Sequence, residues 1–169
     1  MDHVSHLTSP LGNITLAADD LGLIGLWFDD QRFFGRTLSP DARETPDHPY
    51  FLLAAQWLEC YFAGHDPGFT PPLHMKTTPF RKRIWTLLLD IPRGQTRSYG
   101  QIAAAAASAY GLPHVSPRAV GGAAAHNDIC LIVPCHRVLA ATGELTGYAG
   151  GLDRKARLLA LEGVSTVRG

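Results

Sequence analysis

A cysteine beside a histidine is the pairing in this chain best suited to covalent chemistry, and it occurs in Pro134-Cys135-His136-Arg137-Val138, at the end of an apolar run. A thiol is a useful nucleophile only as thiolate, and a nearby imidazole is the usual means of making one near neutral pH. Neighbours on an extended strand point to opposite faces, so a break at Pro134 is what would let Cys135 and His136 share one side. A buried Cys closing a β-strand with His on the surface is the other reading of the same letters. Cys60 and Cys130 form no CxxC or Cys/His ligand spacing with Cys135. Three thiols without a disulfide framework, and no structural metal, are therefore expected.

The elements that must position this pair are legible from their punctuation. GNITLAADD and LGLIGLWFDD are short apolar runs bounded by Gly, Asn or Asp, and predict strands of a small antiparallel sheet. HPYFLLAAQWLECYFAG has apolar residues at helical spacing, with Gly64 as its stop. HDPGFTPPLHMKTTP lacks periodicity and reads as a linker, which places a boundary near residue 78. Beyond it, Thr78 before Pro79 caps a helix over PFRKRIWTLLLD. Ser98 and Gln101 form a capping box opening YGQIAAAAASAYG, and Ser116 before Pro117 opens RAVGGAAAHN, with Asn127 as its stop. An apolar strand then runs into Pro134, and a final helix, DRKARLLALEG, ends at Gly163. The expected fold is α/β in the α+β sense: an N-terminal scaffold domain with an antiparallel sheet over 1–78, and a mostly helical domain over 79–169 holding a helix-turn-helix and Cys135. Gly121 to Ala125 sacrifice helix stability, roughly 1 kcal/mol per Gly relative to Ala. Close approach of another backbone, or tight packing against the next strand, would each explain that choice.

With 169 residues, 46% hydrophobic and 9% aromatic, the chain can build a core. No apolar stretch approaches the roughly 18–20 residues of a membrane span, and MDHVSHLTSP lacks the features of a signal peptide, so a cytoplasmic location is expected. The zero net charge conceals a division. Residues 1–78 carry four Lys/Arg against ten Asp/Glu, and residues 79–169 carry eleven against five. A basic half suits a polyanion, although two halves balancing each other would look the same.

PCHRV at 134–138 resembles the active-site signature of the O6-alkylguanine-DNA alkyltransferase family, and the likeness extends well beyond it. RAVGGA at 118–123 with Asn127, GYAGGL at 147–152, LALEG at 159–163, and Pro92, Gly94, Ser98 and Tyr99 follow the family's order over nearly all of residues 79–165. Residues 1–78 match only in general character. The resemblance implies a direct-reversal DNA repair enzyme that moves an alkyl group from O6 of guanine to Cys135 once per molecule, with O4-alkylthymine as a second candidate substrate. His136 would be the base, through a water, and Glu162 would orient it. Tyr99 would donate to the departing guanine and the backbone N–H of Ala149 would meet its oxygen. The carbonyls of Cys135 and Val138 would accept from its exocyclic amine, and Tyr148 and Pro134 would shape the pocket. Asn127 would link the recognition helix to the active-site strand. Arg118 would fill the gap left by a flipped base, on a helix that Ser116, Ala119, Gly121 and Gly122 bring close to the minor groove of double-stranded DNA.

No cofactor and a monomer in solution are expected, and without an apolar span no membrane contact is expected. Ala149 stands where some relatives carry Ser, the loop between the paired helices is longer than in the shortest relatives, and the Cys/His set that binds zinc in some members is missing, with only His3 and His6 near the start. The alternative is a non-catalytic alkyltransferase-like protein that binds the lesion without repairing it, and Cys135 argues against that. A Cys-His hydrolase and a helix-turn-helix regulator are more distant rivals.

Overall fold

The computed structural model describes residues 1–165. The chain forms two compact units, one of Met1–Lys76 with Asp128–Cys130, the other of Thr77–Asn127 with residues 131–165.

The first unit is built on a four-stranded sheet of order β3-β2-β1-β4, where β1 is His3–Ser9, β2 Gly12–Ala18, β3 Leu23–Phe28 and β4 Arg43–Glu44. β1, β2 and β3 are antiparallel neighbours, and β4 runs parallel to β1. The two expected apolar runs are β2 and β3. Every residue of β3 is buried, more than a half-solvated strand would show. The other side of β3 is closed by two segments distant in sequence. Leu23 exchanges backbone hydrogen bonds with Pro72 and His74, and Leu26 N–H donates to Asp128 O at 2.8 Å while Cys130 N–H donates to Leu26 O at 3.0 Å. Residues 65–79, read as a linker, thus include a docked segment around Leu73. Proline and glycine hide that role, because pairing by a few backbone groups needs no side-chain period. Trp27 folds its ring back across Gly25, where a Cβ would stand 1.9 Å from the ring. Helix α1, Pro49–Phe62, is capped by His48, whose Nδ1 accepts from Tyr50 N–H, and buries Phe51, Ala54, Trp57, Leu58 and Tyr61. Arg36 Nε donates to buried Asp128, 3.0 Å from Oδ2.

The second unit carries α2 (Pro79–Leu89), α3 (Tyr99–Tyr110), α4 (Pro117–Ala125) and α5 (Leu152–Leu161). Thr78, Ser98 and Ser116 each accept from the backbone of the first turn, and Gln101 completes the capping box. Each cap satisfies a donor the helix cannot satisfy itself, worth about 1 kcal/mol. Trp85 of α2 is fully buried and donates Nε1–H to Ala123 O of α4 at 2.8 Å, tying these helices together. Two-residue strands β5 (Arg97–Ser98) and β6 (Val138–Leu139) pair in parallel, which sets the start of α3 beside the segment following Cys135. α5 packs through Leu159 on Leu139 and Leu145. The antiparallel sheet and the helical second unit agree with the α+β expectation.

Candidate active site

The apolar run 129–134 is not a regular strand. Only isolated bridge positions occur in it, at Ile129, which pairs with Leu26, and at Cys130 and Val133; no strand element runs through it, and Leu131 adopts φ +71°. Past Pro134 the chain tightens into a 3-10 turn, Cys135–Arg137. Cys135 N–H donates to Val133 O at 2.8 Å, and Arg137 N–H to Pro134 O at 3.0 Å. This turn removes the strand alternation that would have forced Cys135 and His136 apart.

Cys135 is 4% exposed and opens onto a cavity of about 580 Å³. Tyr99, Arg118, Gly121, Gly122, Thr146 and Tyr148 contribute to its wall. Its size suits a small planar ligand. The cavity is thus lined by the residue that carries the thiol, by small residues of α4 and by the loop before α5. His126 takes the C-cap of α4 and Asn127 follows it with its N–H on Ala124 O, so it stands at the helix end as expected, although its side chain does not cap the helix. The buried Asn127 side chain instead donates Nδ2–H to Val133 O at 2.8 Å and to Cys135 Sγ at 3.2 Å. A donor aimed at sulfur favours the thiolate.

Behind the thiol lies a buried charged cluster. His136 is fully buried, and its Nε2 is 2.6 Å from Glu162 Oε2. The other carboxylate oxygen accepts from Arg137 Nε at 2.7 Å, and Arg137 Nη1 donates to Ile91 O at 2.6 Å. Burial depresses the basicity of His136, and the hydrogen bond and charge of Glu162 work against that depression. Glu162 sits at the C-cap of α5, where a negative charge opposes the helix dipole, so two cationic or donor partners are what hold it there. Neither His136 nor Glu162 lines the cavity.

Tyr99 opens α3, and its hydroxyl donates to Thr146 O at 3.0 Å; burial holds its pKa above the usual phenol range. Arg118 and Ala119 are exposed at the start of α4, after the Ser116 cap. A Cβ at Gly122 would meet nothing within 4 Å, and one at Gly121 would come no closer than 3.8 Å to Tyr99. Intramolecular packing therefore does not demand these glycines. Pro134, Val138 and Ala149 are buried next to the site without lining the cavity. The carbonyl of Cys135 already accepts from Val138 N–H.

Sequence reasoning missed two residues. Arg137 is one. Lys155 is the other: it is buried in α5 and donates Nζ–H to Val138 O at 2.7 Å, Thr146 O at 2.8 Å and Gly147 O at 3.3 Å. Its position in step with Leu158, Leu159 and Glu162 on the inward face of α5 was the available signal, since a Lys there must find partners.

A shielded thiol that accepts from Asn127, with a buried histidine–carboxylate pair on the next residue and small residues of a helix lining the same cavity, is an arrangement that can accept a group on sulfur. Residues 79–164 match the DNA-binding domain of 6-O-methylguanine DNA methyltransferase, and residues 3–75 match its ribonuclease-like domain. A methylated-DNA–protein-cysteine methyltransferase of Mycobacterium tuberculosis is 44% identical over 163 residues, covering 96% of this chain and 93% of the relative. The constitutive Bacillus subtilis enzyme of that name is 36% identical over 166 residues, with 98% of each covered. The crystal structure of M. tuberculosis OGT in complex with DNA superposes with a TM-score of 0.81 at 42% identity, covering 95% of this chain and 92% of that one. The chain belongs to the 6-O-methylguanine DNA methyltransferase family.

Proposed function

We propose that this protein repairs DNA by direct reversal, taking the alkyl group of an O6-alkylguanine in duplex DNA onto Cys135 in a single, irreversible turnover. The observation that supports this reading is that Cys135 lines the cavity while the next two residues, His136 and Arg137, share the buried Glu162 carboxylate.

Because Glu162 occupies Nε2 of His136, the thiol proton passes, through a bridging water, to Nδ1. Sγ then bonds the alkyl carbon as the carbon–O6 bond breaks, and the electron pair of that bond stays with guanine. Guanine takes up one proton, so the thiol proton is in effect exchanged for the alkyl group. Tyr99 supplies a hydrogen bond as negative charge grows on the ring, and the Ala149 N–H and the Cys135 and Val138 carbonyls read the base edges. The thioether has no easy hydrolytic exit, so turnover ends there.

A stacked guanine cannot reach a thiol at the base of a cavity, so the base is rotated out of the duplex. The pair α3 and α4 acts as a helix-turn-helix, with α4 in the minor groove and Arg118 in the vacated stack. Space left open outside Gly122 supports close approach of the sugar–phosphate backbone. The acting species is a monomer, and the cell compartment is the cytoplasm. Incubating the protein with duplex DNA containing O6-methylguanine should leave one methyl group per molecule on the Cys135 peptide by mass spectrometry. Binding of that DNA with an unmodified Cys135 peptide would sink the proposal.

A further inference from the structure

Lys155 belongs to no part of the chemistry above, yet it is a buried cation whose Nζ–H bonds are directed at three backbone carbonyls in and around the cavity wall. One of them, Thr146 O, is also the acceptor of the Tyr99 hydroxyl. The ammonium lies 5.9 Å from the centre of the Tyr99 ring. Two donors therefore converge on one carbonyl, and one of the two is the hydroxyl that the departing guanine needs.

Resting on the transfer reading given for Tyr99, we propose that Lys155 is a positioning residue that frees the Tyr99 hydroxyl for the base. When an extruded base fills the cavity, Thr146 O loses its access to solvent. If Tyr99 alone served that carbonyl, turning its hydroxyl toward the base would strand a polar group, and the cost would fall on the transfer step. With Nζ at 2.8 Å the carbonyl keeps a donor throughout. The same ammonium also bonds Val138 O and Gly147 O, so it ties the segment after the active-site turn to the loop that lines the cavity.

The titratable groups facing the ammonium are Cys135 on the active-site turn, Tyr99 on α3 and His136 behind it. Burial lowers the Lys155 pKa to about 8. The hold on Thr146 therefore weakens on the alkaline side of neutrality.

The test is a double-mutant cycle of Lys155→Met and Tyr99→Phe, reading the single-turnover methyl-transfer rate at saturating O6-methylguanine duplex and, separately, the affinity for that duplex. Lys155→Met should slow transfer roughly 10- to 100-fold with affinity within about twofold of the parent. The double variant should be no slower than the slower single one, because the two residues act on one event. Lys155→Arg, which keeps the charge and donors, should recover part of the rate. Effects that multiply across the cycle, or a loss confined to affinity, would overturn the proposal. No effect of Tyr99→Phe would overturn the role of Tyr99 and with it this inference, whereas a slow Tyr99→Phe enzyme with an independent Lys155 effect removes the inference alone. Should Lys155→Met fail to fold, the pH profile decides. Above pH of about 8 the parent rate should fall relative to that of Tyr99→Phe, and parallel profiles would refute the coupling.

Discussion

Replacing Glu162 with Gln removes one charge from the centre of the buried cluster and leaves its shape. Both side chains of the His136–Glu162 pair are 0% exposed, and Arg137 is 10% exposed, so no solvent replaces what is lost. Breaking a buried pair by neutralising one partner costs about 3–5 kcal/mol. Gln retains one acceptor for Arg137 Nε or His136 Nε2, which places the expected loss near the lower end, roughly 3 kcal/mol against a total stability on the order of 5–15 kcal/mol. The protein should fold but unfold at lower urea. Transfer suffers separately. Burial already makes His136 a weaker base than a free imidazole and Glu162 opposes that weakening, so without Glu162 the ring accepts the thiol proton less readily. General-base assistance is worth about 10²–10⁴ in rate, and a fall of at least about 100-fold at pH 7 is expected. The remaining rate should rise with pH, because the thiolate then forms without the help of the base. The assay is single-turnover transfer from O6-methylguanine duplex between pH 6 and 9, with urea unfolding of the same samples. A folded Glu162→Gln protein whose rate and pH profile match the parent would refute the argument that His136 and Glu162 act as a unit.

Gly122→Ala should stabilise α4 by roughly 1 kcal/mol, because the added methyl meets nothing within 4 Å, yet it should weaken DNA binding in a titration with duplex; stronger or equal binding would remove the close-approach role of Gly122. Arg118→Ala should lower both lesion affinity and transfer rate, and unchanged rates would remove Arg118 from its place in the opened stack. Burial keeps His136 below its ordinary pKa of 6.5, so the folded state holds it neutral while the unfolded chain takes up a proton below that pH. The stability from the neutral ring is therefore present above pH 6.5 and lost as pH falls through it, by up to about 1.4 kcal/mol per unit. Urea unfolding at pH 7.5 and 5.5 should show a smaller difference in His136→Gln than in the parent. Asp128 is 2% exposed in its side chain while Arg36 is 36% exposed, so Arg36→Leu, which takes the guanidinium from a buried carboxylate, should cost more than Asp128→Asn, by roughly 1–3 kcal/mol in denaturant midpoints converted to free energy.

Helix starts were the most legible part of the fold. Thr78, Ser98 with Gln101, and Ser116 are all N-caps, because a cap is decided by one side chain and the three residues after it. The run ICLIV was not legible in the same way. A continuous apolar stretch states that a segment is buried and leaves its backbone open, and here the backbone turns through a left-handed Leu131 instead of extending. Asn127 shows the same limit: the letter fits a helix stop, whereas its buried amide is held by Val133 and Cys135 eight residues or fewer away. The thiol, the imidazole and the carboxylate could be named from PCHRV and LALEG, and their geometry could not, since it depends on a 3-10 turn that Pro134 permits without specifying. Arg137 and Lys155 were missed for one reason. A basic residue is ordinarily solvent-facing, and only its partners reveal otherwise.

The segment Asp128–Cys130 closes the outer side of β3, although about a hundred residues of chain separate it from Leu26. During synthesis the sheet of the first unit emerges with Leu26 N–H and C=O unpaired, and they stay so until the thiol-bearing part of the chain is nearly made. A fragment ending near residue 78 would keep that edge open, a template for strand pairing with other molecules. Long-range closure of this kind slows folding, and here it also sets an order. The N-terminal unit finishes its sheet only after the chain that leads into the active-site turn has been translated.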